Sequence, residues 1–121
     1  MNRIVHFEFH SSDPAKTQAF FESVFGWKFS YWQGPEDYWL IMTGENEKGI
    51  DGGMLKSKDG QPRTVNTVEV ESVDEYVEKV TAAGGQVVVP KMAIPTVGWI
   101  AYCTEPTGNL FGVYKTDPQA K

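Results

Sequence analysis

Ile4-Val5-His6-Phe7-Glu8-Phe9-His10 and Thr64-Val65-Asn66-Thr67-Val68-Glu69-Val70 open two halves of the chain in the same way. In each, apolar and polar side chains alternate, the period-two signature of a strand with one buried face. In the first, Val5, Phe7 and Phe9 share one face. His6, Glu8 and His10 share the other.

A helix signal follows each strand. Asp13 can cap free backbone N–H groups, and Pro14 suits the first helical position. Ala15, Ala19, Phe20, Phe21, Val24 and Phe25 supply the apolar face, and Gly26 stops the helix. Phe20, Phe21 and Phe25 are expected to pack between helix and sheet. In the second half Ser72 and Glu75 form a capping-box pattern. Val73, Tyr76, Val77, Val80 and Ala83 fall at helical spacing, and Gly84-Gly85 ends the run.

Three strand-like pieces then complete each half. In the first they lie near 27–32, 38–43 and 50–55. Turn-like breaks at Gly34-Pro35-Glu36-Asp37 and 44–49 separate them. In the second they lie near 86–89, 97–104 and 109–114. Pro90 and Pro95 place Ala93-Ile94-Pro95 in a loop. Sliding the first half by about 59 positions superposes strand, helix and Gly stop, and such a period governs the whole fold reading. The expected organisation is one domain over residues 1–121. It comprises a βαβββ module at 1–55, a polar connector at 56–63, a second βαβββ module at 64–115 and a tail at 116–121.

This order, repeated within 121 residues, resembles the glyoxalase/bleomycin-resistance/dioxygenase (vicinal oxygen chelate) superfamily. The local residues that carry the resemblance are His6-Phe7-Glu8 followed by Asp13, and Ala19 through Trp27. Glu105-Pro106-Thr107-Gly108-Asn109-Leu110-Phe111-Gly112 resembles the family's closing segment. The stretch from Val89 to Trp99 is similar to a branch of small bacterial glyoxalase-like proteins. The resemblance implies an α+β fold of two βαβββ repeats whose curved mixed sheets form an incomplete barrel around a cavity. It also implies pairing of two chains as a homodimer. It does not specify a reaction, since one scaffold hosts many chemistries.

In metal-dependent members four ligands occupy equivalent positions of the two halves. The resemblance puts His6 at the first. Val65, or Asn66 with a one-residue shift, stands at its counterpart. Asp51 is the candidate in Ile50-Asp51-Gly52-Gly53, and Gly112 stands where the closing acid belongs. Valine and glycine side chains offer no donor, and asparagine is a poor ligand for a transition metal. The full four-ligand site is therefore not expected, and neither is a cofactor. His6 remains the single metal candidate, with a metal-dependent lyase as the alternative if His6 and Glu8 hold an ion. Residues two apart on a strand lie about 6.6–6.8 Å apart, so His6 and Glu8 could share an ion that His10 could hardly reach.

Without a metal, His6 and Glu8 read either as a hydrogen-bonded polar pair in a partly wet cavity or as a catalytic acid–base couple. In the second reading the carboxylate raises the imidazole pKa. His10 reads as a strand-end surface residue. Trp39, Trp99, Tyr102 and Phe111 lie on strands that would line the cavity, facing either core or ligand. With Asp51, Gly52 and Asn66 they are the candidate ligand-binding residues. Gly52-Gly53 would let a ligand or a neighbouring backbone approach a strand. An aromatic wall suits a small, flat or apolar ligand.

A formal charge of −5 and a pI near 4.9 offer no basic stripe for nucleic acid or anionic membrane. No apolar stretch approaches the roughly 20 residues needed to span a bilayer. Cys103, the single cysteine, lies in an apolar run and reads as a small buried hydrophobe. The functional expectation is a cytoplasmic glyoxalase-like protein that acts on or binds a small metabolite. The alternative is a metal-free protein that sequesters a drug or toxin.

Overall fold

A computed structural model describes all residues, 1–121. Strand β1 (Arg3–Ser11) leads into helix α1 (Pro14–Phe25), then β2 (Lys28–Gln33), β3 (Asp37–Met42) and β4 (Gly52–Lys56). Strand β5 (Arg63–Glu69) leads into α2 (Val73–Ala82), then β6 (Gln86–Ile94), β7 (Gly98–Thr104) and β8 (Leu110–Thr116). The βαβββ order is thus present twice.

The chain divides into two compact units, His6–Val65 and Met1–Val5 with Asn66–Lys121. The first residues of β1 therefore group with the second half. Asn2 donates its backbone N–H to the Glu69 carbonyl and its amide to the Tyr76 hydroxyl.

In the first unit the strand order is β2-β3-β4-β1. β1 and β4 run parallel, with Glu8 opposite Gly53. In the second the order is β5-β8-β7-β6, and β5 and β8 run parallel with Thr67 opposite Gly112. The offset of about 59 positions thus carries one register onto the other, so the repeat extends to individual residue pairs.

The helix caps form as the sequence dictates. The Asp13 carboxylate accepts from Lys16 N–H, and the Ser72 hydroxyl accepts from Glu75 N–H. Gly26 takes the left-handed conformation at φ 72° that closes α1.

The helix faces are more selective than the sequence suggests. Phe21 stacks on Phe9 and Trp27, at 4.9 and 5.0 Å between ring centres. Phe20, Val24 and Phe25 are more than half exposed, and no residue of α1 is fully buried. Phe20 and Phe25 therefore do not fill the core expected of them. Successive helical residues are about 100° apart, so aiming Phe21 at the sheet turns Phe20 aside. In the second unit Val70, Val73, Ala101 and Val113 form the core, with Val68, Tyr76, Val77, Trp99 and Phe111 against it.

One strand boundary also moved. β6 continues through Pro90 to Ile94 instead of giving way to a loop. It is the last strand of its sheet order, and its pairing with β7 shifts register between Val87 and Val89 and again before Met92. An edge strand with bulges tolerates a residue lacking an N–H. In the tail, Ala120 is buried and its carbonyl accepts from Thr96 N–H. No helix is long and apolar enough to cross a membrane.

Candidate functional site

The alternation of β1 places Phe7 and Phe9 among the aromatic rings of the α1 side. His6, Glu8 and His10 project from the opposite face. There they join a continuous line of hydrogen bonds. His6 Nε2 lies 3.0 Å from the Tyr38 hydroxyl, which donates to Glu8 Oε2 at 2.9 Å. Glu8 Oε1 lies 2.8 Å from His10 Nε2. Glu8 is 4% exposed, and the His10 side chain is 11% exposed.

This arrangement corrects two expectations. His10 is not a surface residue but the direct partner of Glu8. His6 and Glu8 meet through Tyr38, which the sequence did not single out. Tyr38 lies 30 positions from Glu8 in the chain, and only strand pairing brings it across. The available signal was Gly53. A Cβ at Gly53 would overlap the Tyr38 hydroxyl and ring, so the glycine holds the space that the phenol occupies. Trp32 lies beside Tyr38, its ring perpendicular at 6.4 Å.

Burial pushes the His6 pKa below its usual value, against the upward pull of Glu8 and Asp51. The expected rise is therefore reversed, because the imidazole loses solvent and desolvation disfavours its charged form. Asp51, on the loop entering β4, accepts from Thr43 N–H at 2.9 Å.

The lowered pKa makes folding stability depend on pH. Unfolded His6 titrates near 6.5, and folded His6 takes its proton at lower pH. Between these values the unfolded chain binds more protons, so His6 weakens folding as pH falls and contributes no slope above about 6.5. Urea midpoints from pH 7.5 to pH 5 are expected to fall more steeply for the wild type than for His6→Gln. Parallel curves would contradict this.

In the first unit Trp39 and Gly52 lie on the sheet face opposite His6. Trp39 pairs with Met54, which pairs with Phe9, so it lies on the α1 side, 5.6 Å from Tyr31. Gly52 faces the Phe7 ring; its neighbour Gly53 faces Tyr38. Trp99 and Phe111 pack on the α2-side core of the second unit. Trp99 donates to Asp117 at 2.8 Å and lies under the Lys91 ammonium. Asn66 pairs with Phe111 and is exposed. Tyr102 pairs with Gly112, which pairs with Thr67, on the face away from that core. By the same alternation Val65, rather than the shifted Asn66, shares the face of Thr67.

Of the four positions named for metal ligands, His6, Val65, Asp51 and Gly112, only His6 and Asp51 carry a donor side chain. No three His, Cys, Asp or Glu side chains come together as a ligand group. His6 Nε2 and both Glu8 oxygens are engaged within the hydrogen-bonded line, and Asp51 is held by Thr43.

Fold and sequence together place the chain. The sequence model of the Glyoxalase/Bleomycin resistance protein/Dioxygenase superfamily matches residues 3–113, and the chain belongs to that superfamily. A Mycobacterium bovis protein provisionally named glyoxylase CFP32 is 28% identical over 115 residues. That match covers 91% of this chain and 44% of the relative, so the chain spans less than half of the relative's length. A hypothetical protein from Bacillus halodurans C-125 has a similar structure, with a TM-score of 0.74 at 15% identity over 99% of this chain and 98% of that one. Methylmalonyl-CoA epimerase from Mycobacterium tuberculosis has a TM-score of 0.70 at 11% identity over 95% and 88% of the two chains. At these identities the structural likeness concerns the fold.

Proposed function

We propose that this chain acts on a small carbonyl metabolite bound against the His6–Tyr38 end of the hydrogen-bonded line, moving a proton without a metal. The observation that carries this reading is the line itself. A neutral imidazole at its end is backed by a phenol, a buried carboxylate and a second imidazole. Burial keeps His6 uncharged at neutral pH, so it can accept a proton. Glu8, through Tyr38, then stabilises the imidazolium that forms. Trp32 beside Tyr38 offers an aromatic wall. The likeness to a protein named as a glyoxylase and to an epimerase of an acyl-CoA is in keeping with a carbonyl substrate. The same reading takes the protein as a cytoplasmic homodimer.

The test is solvent deuterium incorporation next to the carbonyl of a panel of small aldehydes, ketones and thioesters, followed by NMR. Positioned acid–base catalysis contributes about 10²–10⁴-fold, and His6→Gln is expected to lose that much. A panel giving neither exchange nor turnover sinks the catalytic reading.

The charge of −5 favours a second reading, in which the protein sequesters a cationic drug or toxin. It predicts thermal stabilisation by the ligand with no turnover.

A further inference from the structure

The geometry assigns the proton-accepting atom as His6 Nδ1, with Tyr38 and Gly53 as the positioning residues that leave it available. This rests on the proton-transfer reading above and deepens it.

The number of protons fixes the tautomer. A phenol has one, and Tyr38 gives it to Glu8 Oε2. The 3.0 Å contact between Tyr38 and His6 Nε2 must then be filled from the histidine side, by Nε2–H. A neutral imidazole carries one ring hydrogen, so the lone pair is on Nδ1. An ionised Glu8 has no proton to give, and the His10 contact at 2.8 Å is likewise filled by Nε2–H of His10. Every donor in the line points toward Glu8. The charged groups facing His6 are Glu8 on β1 and Asp51 before β4, and both favour the imidazolium that Nδ1 protonation creates.

Nδ1 is also accessible. The hydrogen bond of the His6 ring is made by Nε2. No buried side-chain nitrogen or oxygen lacks a partner, so Nδ1, which has none, is not sealed from solvent.

Gly53 makes this polarity possible. It lies opposite Glu8 across the β1–β4 pairing, and its missing side chain is the space that receives the Tyr38 hydroxyl. A methyl group there would push the phenol away from Glu8 and His6.

Ring ¹⁵N NMR of the ligand-free protein tests the assignment at a pH where His6 is neutral. The wild type is expected to show hydrogen on Nε2, with slow exchange against solvent. Tyr38→Phe removes the acceptor, and exchange of Nε2–H is expected to quicken at least about tenfold. Gly53→Ala is expected to act similarly, and to add nothing in the Tyr38→Phe background. Hydrogen on Nδ1 in the wild type overturns the assignment, as does unchanged protection in Tyr38→Phe. Should Gly53→Ala not fold, Tyr38→Leu makes room for the methyl and is expected to rescue it; no rescue overturns the role of Gly53. These resonances need no substrate. A silent activity panel therefore leaves the tautomer result standing, and a wrong tautomer leaves the activity to its own assay.

Discussion

Replacing Glu8 by alanine is expected to lower folding stability by about 3 kcal/mol, in the range found when one partner of a buried charged pair is removed. The cost is not the loss of one favourable contact. Glu8 is buried and receives the Tyr38 hydroxyl on one oxygen and the His10 ring on the other. Alanine leaves both donors facing a void, and each unmatched buried donor costs about 1–3 kcal/mol. Glu8→Gln separates charge from connectivity. Its amide oxygen can still accept from Tyr38. Its NH₂ can donate to His10 once that ring moves its hydrogen to Nδ1. The glutamine variant is therefore expected to lose about 1 kcal/mol. Urea denaturation at pH 7.5 reads both midpoints. Equal losses for the two variants would mean that charge, not hydrogen bonding, holds the line together.

Met54→Ala is expected to cost about 2–5 kcal/mol, the range for truncating a fully buried methionine. Met54 has no solvent exposure, and pairing places it between Phe9 on β1 and Trp39 on β3. Strands pinned by hydrogen bonds on both sides cannot close in on the void, so little of the loss is recovered by collapse. Phe20→Ala removes a larger side chain, yet Phe20 is 57% exposed, and its loss is expected to stay within about 0.5 kcal/mol. Thermal or urea denaturation of the two variants side by side would check the contrast. A larger loss at Phe20 would show that the exposed face of α1 is covered in solution.

The exposed Phe20 and the buried Met54 show where sequence reading reached its limit. Phe20 belongs to a helical apolar stripe, and period alone assigned the whole stripe to the core. The helix in fact turns Phe21 toward the sheet and Phe20 aside. Met54 follows two glycines and carries no pattern of its own; its burial comes from its neighbours on two other strands. The facing of the aromatic candidates lay beyond sequence reading for a related reason. Alternation told that Tyr38 and Trp39 face opposite ways, but not which of them faces the helix. The structure gives Trp39 the α1 side and Tyr38 the polar line. In the second half, Trp99 and Phe111 went to the core and Tyr102 to the other face.

The sequence by itself determined the order of elements, the caps at Asp13 and Ser72, the stop at Gly26 and the repeat. These depend on residues within a few positions of one another, or on a period that survives without any contact. It also determined that His6, Glu8 and His10 share a face, because a strand alternates whatever packs against it. Tertiary structure alone decided what that face does. Glu8 and Tyr38 are 30 positions apart, and their meeting depends on the pairing of β1 with β4 and of β4 with β3. It depends equally on a glycine whose missing side chain leaves room for a phenol. Register between strands is fixed by all the side chains on both of their faces at once, and no local stretch of sequence contains it.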